Sequence, residues 1–237
     1  ASPWIAWILS RPGKEKRNNI INVQDKKKLT DTAYRIWKYY DKYADKSNNY
    51  LPPDNVQFIT EEKIARRTSP TNIGFYMLAI IISLRFEFIT KEDALNRLDN
   101  TLHTIEKLQK YKGHLYNWVD TVTLCPLAPL FISTVDRGNF IACCISVRQA
   151  LSLLVCEKPS EENRLAALQK RLDSIIYQTD FTFLYDARKK SFSTGFNITE
   201  NKLSQSFYDI LASESRLTMY IAISLGQVPL DCYTNAA

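Results

Sequence analysis

Glycine and histidine are scarce in this sequence, and each scarcity excludes something. The chain has 237 residues and only 6 glycines, whereas doubly wound nucleotide-binding folds and repeat-rich β-proteins use glycine at many turns. The two histidines, His103 and His114, lie far apart. The five cysteines have no CxxC spacing, which argues against a zinc site or a disulfide framework. We therefore expect no metal centre and no cofactor.

Motifs for nucleotides and for nucleic acid are also missing. The sequence contains no GxxxxGK[ST], GxGxxG, HExxH or GxSxG pattern. Its 31 Lys and Arg against 25 Asp and Glu give a net charge of +6, but the basic residues gather between Lys14 and Lys28, where no aromatic residue is interleaved. A basic arm beside a membrane explains this run more simply than nucleic-acid binding does. No nucleic-acid partner is expected.

Long hydrophobic runs are absent as well. The apolar stub from Trp4 to Leu9 is far shorter than the ~20 residues of a membrane-spanning helix, and Arg11 follows it closely. Since the chain begins with Ala1, we expect it to be a piece of a longer protein. For residues 1–12 two interpretations stay open: the end of a membrane segment with a basic cytoplasmic flank, or an apolar strap on the domain.

Helical periodicity dominates the rest of the chain. Apolar residues at three- and four-residue steps predict helices over 29–43, 71–88, 139–155, 161–177 and 206–225, and one that opens at Thr90 and ends at Gly113. Residues 13–28 are predicted to be a linker or arm, so that 13–58 hold a basic arm and a first helix. Two short strands, 181–185 and 191–197, form a predicted hairpin. A further helix-start signal at 60–62 brings the count to roughly seven helices, so the class is mainly α, built from antiparallel helix pairs.

Polar loops rich in aromatic residues separate these helices. They cover 113–121, 133–139, 192–197 and 206–216. Amides and carboxylates hydrogen-bond vicinal hydroxyls, and Trp and Tyr faces pack on sugar rings, so the combination favours carbohydrate binding. Structural alternatives remain for single residues: Asp136 as a helix cap, Asp120 as an Asx-turn residue, and Glu214 with Arg216 as a surface ion pair.

Several long motifs occur in order along the chain. They are RTSPTNIG from Arg67, GHLYNW from Gly113, STVDRGN from Ser133, FLYD from Phe183, FSTGFN from Phe192, YDILASE from Tyr208 and GQVP from Gly226. Together they resemble the glucoamylase-like region of the cyclic β-1,2-glucan synthases. The resemblance covers about residue 59 to the end.

The resemblance implies a fold and an activity. Residues 59–237 would be the N-terminal part of an (α/α)6 toroid of the glycoside-hydrolase type. Such a toroid stands beside a membrane glycosyltransferase and closes β-1,2-glucan rings by retaining transglycosylation with two carboxylic acids. The expected partners are β-1,2-linked glucan and the remainder of a longer parent chain, with possible membrane attachment through the N-terminal segment. The parent would lie at the cytoplasmic side of the bacterial inner membrane.

The same resemblance places residues around the sugar cleft. No catalytic residue is assigned, because the family acids are expected beyond the C-terminus and the fragment alone is expected to be inactive. Asp136 and Glu214 would be the first carboxylates to test as an acid. The implied substrate-binding residues are Arg67, Asn72, Tyr116, Asn117, Trp118, Asp120, Ser133, Thr134, Asp136, Asn139, Asp209, Glu214 and Arg216.

A second hypothesis is a non-catalytic helical-repeat module that binds a partner protein. Placement of the polar motifs discriminates between the two. Collection of Trp118, Asp120, Asp136 and Asp209 in one cleft favours sugar binding, whereas dispersal over unrelated surfaces favours the interaction module.

Overall fold

The computed structural model describes Trp4 and residues 22–58, 60–156, 158–208 and 214–234. The chain divides into two units, Ala1–Ile36 and Trp37–Ala237. In the first unit the described residues are an exposed Trp4 and the first part of a helix. The predicted apolar segment at residues 1–12 therefore lies, apart from Trp4, outside the described residues. Among the helices that are described, none is both long and apolar enough to cross a membrane.

Seven α-helices account for most of the described chain. They are α1 Val23–Tyr43, α2 Pro70–Arg85, α3 Lys91–Lys107, α4 Thr134–Ser152, α5 Pro159–Tyr177, α6 Arg216–Ser224 and α7 Asp231–Thr234. Two short 3₁₀ helices, Lys46–Asn48 and Thr182–Leu184, join them. The mainly α class is confirmed.

Capping side chains explain where the helices begin. The oxygens of Ser69, Thr90 and Ser133 each accept a hydrogen bond from the backbone N–H three residues later, which satisfies a free donor in the first turn of α2, α3 and α4. Because Ser69 is the cap, the helix predicted over 71–88 begins at Pro70 and not at residue 71. The alternative that Asp136 is a helix cap is wrong, because Ser133 caps α4.

Other helix boundaries differ from the prediction for local reasons. Helix α1 begins at Val23, since the Asn22 side chain accepts from the Asp25 N–H at 2.8 Å; residues 23–28 are therefore helical rather than a linker. Helix α3 ends at Lys107, and Gly113, with φ +80°, serves the turn of a later hairpin. Helix α6 begins at Arg216, and Phe207 lies in a β-bridge with Ser193.

Eleven short strands form five small antiparallel sheets in the described residues. The bounds are β1 Val56–Phe58, β2 Glu62–Ile64, β3 Arg67–Thr68, β4 Lys110–Tyr111, β5 His114–Leu115, β6 Val119–Asp120, β7 Phe131–Ser133, β8 Tyr185–Asp186, β9 Ser191–Phe192, β10 Gly195–Asn197 and β11 Lys202–Leu203. The sheets are β1–β2, β3–β6, β4–β5, β8–β9 and a three-stranded sheet in the order β11–β10–β7. A hairpin of β8 with β9 is present, but most of the predicted strand 181–185 is a 3₁₀ helix, and the predicted strand 191–197 divides into β9 and β10, which lie in different sheets.

Helix α4 is the central element of the second unit, packing against α2, α5 and α6. Close approach depends on two glycines. A Cβ on Gly74 of α2 would lie 3.0 Å from Cys143, and one on Gly138 of α4 would lie 1.9 Å from Thr218 Oγ1 of α6. Phe140, Ile141, Cys144 and Val147 of α4 are buried in the shared core. This packing fixes the position of α4, whose first turn directly follows strand β7.

Candidate carbohydrate site

The site forms around the first turn of α4, directly after strand β7. Ser133 ends the strand and its Oγ accepts from the Asp136 N–H at 3.2 Å, which orients the first helical turn. The half-buried Asp136 carboxylate accepts from Asn117 Nδ2 at 3.1 Å. Asn117 is itself fixed, since its N–H donates to the Phe131 carbonyl of β7 at 2.9 Å. Two of the predicted polar loops thus meet at one carboxylate.

Trp118, the residue after Asn117, adds an aromatic ring to the candidate site. Trp118 is half-buried, and the Arg67 guanidinium lies 4.6 Å from the centre of its ring. Strands β3 and β6 bring them together, because they pair Arg67 with Asp120 and Thr68 with Val119. A cation over an indole face is a favourable contact, and it fixes the ring in place.

Asp54 is a member of this region that the sequence analysis missed. Its Oδ2 accepts from Arg67 Nη2 at 3.2 Å and its Oδ1 from Asn72 Nδ2 at 3.4 Å, so one carboxylate orients two predicted site residues. The loop residues Pro52–Asn55 and the side chains of Tyr39, Tyr40 and Asn72 line a cavity of about 320 Å³ here. The sequence offered one signal, a carboxylate and an amide directly after two prolines.

Tyr208 is a second missed residue. It is half-buried, and burial, followed by the nearby carboxylates of Glu214 and Asp136, raises its pKa. Glu214 is exposed and precedes α6. The charges of Asp136 and Glu214, the two carboxylates to test first, therefore both act on the Tyr208 phenol.

Three of the predicted site residues have structural roles in the fold. Asp120 Oδ1 accepts from the N–H groups of Val122 and Thr123 at 2.9 and 2.7 Å, which is the Asx-turn alternative. Burial raises the pKa of Asp120, but these bonds outweigh it and the net pKa is lowered. Thr134 is fully buried and donates to the Ser193 carbonyl at 2.7 Å, and Tyr116 is buried in the core. The buried side chains of Thr134 and Tyr116 therefore have structural roles.

The remaining predicted residues lie around the same helix ends or outside the described chain. Asn139 Nδ2 donates to Thr71 Oγ1 at 3.3 Å, which joins α4 to α2 one turn beyond Asp136. Arg216 is the first residue of α6 and is exposed. Asp209 lies outside the described residues.

Metal ligands do not cluster in the parts of the chain that are described. No group of three or more His, Cys, Asp or Glu side chains there could hold a metal ion. His114 is fully buried, with Nε2 2.6 Å from the Asp180 carbonyl, and burial and then the Arg137 charge lower its pKa well below the usual range. The chemistry available at the site is hydrogen bonding by amides and carboxylates beside an aromatic ring.

Comparison with known proteins supplies a relative in sequence. The cyclic β-(1,2)-glucan synthase NdvB of Rhizobium meliloti (strain 1021) is 24% identical over 349 residues. The resemblance predicted from the motifs is confirmed. The match covers 98% of this chain and 12% of NdvB, and because it is longer than the 237 residues here, it includes gaps in this chain. No family model matches the chain.

Solved structures share the fold. A candidate glucoamylase from Bacteroides fragilis aligns with a TM-score of 0.73 at 14% identity, over 94% of this chain and 52% of that one. The endo-β-1,2-glucanase of Chitinophaga pinensis, solved with sophorotriose and glucose, gives 0.71 at 15% identity, over 87% and 50%. A β-1,2-glucanase of Parabacteroides distasonis gives 0.73 at 16% identity, over 89% and 29%. The fold is that of part of a glucoamylase-like (α/α)6 toroid, and the chain spans about half the length of the first two of these structures.

Proposed function

We propose that this chain is the glucan-binding part of a glucoamylase-like carbohydrate-active domain and that its ligand is β-1,2-linked glucan. One observation carries the proposal: Asn117 Nδ2 donates to the Asp136 carboxylate in the first turn of α4, and Trp118 directly follows Asn117. Amide and carboxylate groups pair with vicinal hydroxyls, and an indole face packs on the C–H groups of a pyranose. The names of NdvB and of the two glucanases support the β-1,2 linkage.

The finer proposal concerns the reaction of the parent protein. Ring closure by retaining transglycosylation uses two carboxylic acids about 5–5.5 Å apart, one as nucleophile and one as acid. Asp136 and Glu214 are the first carboxylates of this chain to test as an acid, since each stands in a dense polar motif. We place the family's catalytic pair in a further part of the parent chain, so that this chain by itself binds glucan without turning it over. The parent is proposed to act at the cytoplasmic face of a bacterial inner membrane, attached through its N-terminal segment.

Calorimetry tests the binding proposal directly. The chain is titrated with β-1,2-gluco-oligosaccharides and, in parallel, with β-1,4-linked oligosaccharides of equal length. We expect binding of the first series, and at least tenfold weaker binding of it by Asp136→Asn, because loss of one charged hydrogen-bond partner costs ~1.5–3 kcal/mol. Asp31→Asn, an exposed substitution on α1, is the matched control. Equal binding of both series, or of neither, would contradict the proposal.

The interaction-module alternative retains one favourable observation. Phe75 and Ile82 on α2, with Phe86 after it, are exposed by 49%, 49% and 46%. An apolar stripe of this kind suits a helix partner. Sedimentation of the chain with and without glucan separates the two hypotheses: association that is abolished by Phe75→Ser and Ile82→Ser and indifferent to glucan favours the module.

A further inference from the structure

A second cavity lies over the three-stranded sheet β11–β10–β7. It measures about 370 Å³, within the range that small-molecule sites occupy. Its walls come from all three strands and from the loop residues that follow them; the lining includes Phe131, Asn197, Glu200, Lys202, Ser204 and Gln205. None of these residues belongs to the predicted site.

Strand register places the Phe131 ring of this cavity on the same side of the sheet as Ser133, the residue that caps α4. Phe131 pairs with Asn197 and Ser133 pairs with Gly195. Directly paired residues share a face, and so do residues two apart in a strand, so Phe131 and Ser133 point to one side. Ser133 is the residue whose Oγ accepts from the Asp136 N–H. Phe131, which lines the cavity, is therefore two residues along strand β7 from Ser133, the residue that caps α4.

Gly195 shapes the floor of this surface. A Cβ at Gly195 would lie 2.3 Å from Phe131 Cζ, so only glycine lets the phenyl ring rest against strand β10. The ring is half-buried, which leaves part of its surface available to a ligand. An apolar ring surface beside polar groups is the arrangement that receives a sugar ring.

Three polar side chains around the Phe131 ring are available to hydrogen-bond a ligand. Within the described chain, the side chains of Glu200, Lys202 and Gln205 make no hydrogen bond or ion pair, and all three are exposed. Asn197 Oδ1 accepts from the Glu200 N–H at 3.1 Å, which turns the amide into the loop. One carboxylate and one ammonium balance in charge, so the surroundings suit a neutral ligand with many hydroxyls rather than an anion.

We propose that the cavity over the three-stranded sheet, bounded by Phe131, Glu200 and Gln205, is a further subsite for a neutral pyranose unit of the glucan that occupies the Asp136 site. The inference rests on the proposed function and adds a position and a direction: the sugar chain leaves the first turn of α4 along the Ser133 side of strand β7. Occupation of the subsite requires a ligand long enough to pass Ser133.

Length-dependent binding tests the subsite. β-1,2-gluco-oligosaccharides of increasing length, from the disaccharide upward, are titrated into the chain and into the double variant Glu200→Ala, Gln205→Ala. For the unchanged chain we expect affinity to rise with length. The double variant should lose roughly tenfold for long ligands, as removal of one or two net hydrogen bonds implies, and nothing for the disaccharide. The control Gln24→Ala, Glu162→Ala changes two exposed helical side chains of the same types and should match the unchanged chain.

The outcomes separate this inference from the proposed function. If the unchanged chain binds no oligosaccharide, the proposed function fails and the subsite fails with it. If it binds all lengths equally, or if the double variant keeps the full length dependence, the subsite is wrong while the proposed function stands. Loss of disaccharide and long-chain binding in the same proportion also overturns the subsite.

Discussion

Asp136 and Arg137 are adjacent residues in the first turn of α4, and they face opposite environments. Asp136 is half-buried beside Asn117 in the candidate site. Arg137 is 1% exposed, and its Nη2 donates to the Gly113 carbonyl and to Thr179 Oγ1, both at 2.6 Å. Burial lowers the pKa of Arg137 to about 10. Successive residues of a helix point about 100° apart, so one turn carries a half-buried carboxylate on one side and a buried guanidinium on the other.

The comparison teaches where substitution should cost stability and where it should cost binding. Within the described residues, Arg137 Nε and Nη1 are buried without a hydrogen-bond partner, so this side of the turn already carries desolvation that only tight packing offsets. On the other side, the Asp136 carboxylate is only half-buried and has a hydrogen-bond donor in Asn117, although Asn117 Oδ1 is itself buried without a partner among the described residues. The predictions below test that division, beginning with the largest effect on stability.

Arg137→Ala should lower the free energy of unfolding by about 3–5 kcal/mol. The substitution opens a cavity beside Phe140 and leaves the Gly113 carbonyl without its donor. Urea denaturation followed by circular dichroism measures the change. Arg148→Ala is the control: it removes a partly exposed ion pair with Asp173 and should cost at most about 1 kcal/mol. Equal losses in the two variants would break the comparison.

Gly138→Ala should lower the free energy of unfolding by about 1–3 kcal/mol, since a new methyl group meets Thr218 Oγ1 and forces α4 and α6 apart. Thermal unfolding of this variant is compared with that of Ser146→Ala, an exposed position on the same helix. An unchanged melting temperature for Gly138→Ala would show that α4 and α6 approach each other less closely than in this structure.

Acid should destabilise the protein through His114. Its pKa is well below 6.5 in the folded state, so below about pH 6.5 the unfolded chain binds a proton that the folded chain does not. The free energy of unfolding should therefore fall as pH drops through this range, by up to about 1.4 kcal/mol per pH unit. Denaturant titrations at several pH values measure the slope. His114→Gln should flatten it, whereas His103→Gln, at an exposed site, should leave it intact.

Asp136→Asn should change the free energy of unfolding by less than about 1 kcal/mol, because the helix loses one favourable charge near its N-terminus and no packing. The same variant should lose glucan affinity in calorimetry. A large loss of stability would place Asp136 with Arg137 as a structural residue and remove the contrast between the two sides of the turn.

The sequence predicted the helical part of this fold well. Helix α3 opens after Thr90 as predicted, and Ala94, Leu98 and Leu102, at four-residue steps along it, are buried. The two- and three-residue strands were largely missed, since so few residues carry no detectable alternation. Their partners are distant in sequence: β3 pairs with β6, and β7 with β10. Such pairs are fixed by tertiary packing.

The candidate site divides in the same way. Asn117, Trp118 and Asp136 stand in polar motifs that chemistry alone could select. Asp54 was missed because its role depends on hydrogen bonds from Arg67 and Asn72, which belong to another segment of the chain. Tyr208 was missed because its raised pKa depends on its burial and on the carboxylates of other segments. The structural duties of Thr134 and Tyr116 were equally invisible, since burial is a property of the assembled fold.

By itself the sequence determined the mainly helical class, the core stripes and the sugar-compatible chemistry of the loops, because periodicity and side-chain chemistry are local properties. Only the tertiary structure decided which loops meet. Strand register turns Phe131 and Ser133 to one side, and close packing at Gly74 and Gly138 sets helix α4 so that Asp136 lies half-buried beside Asn117 while Arg137 is buried in the core. A rotation of about 100° between neighbouring residues converts a one-residue difference in sequence into opposite environments.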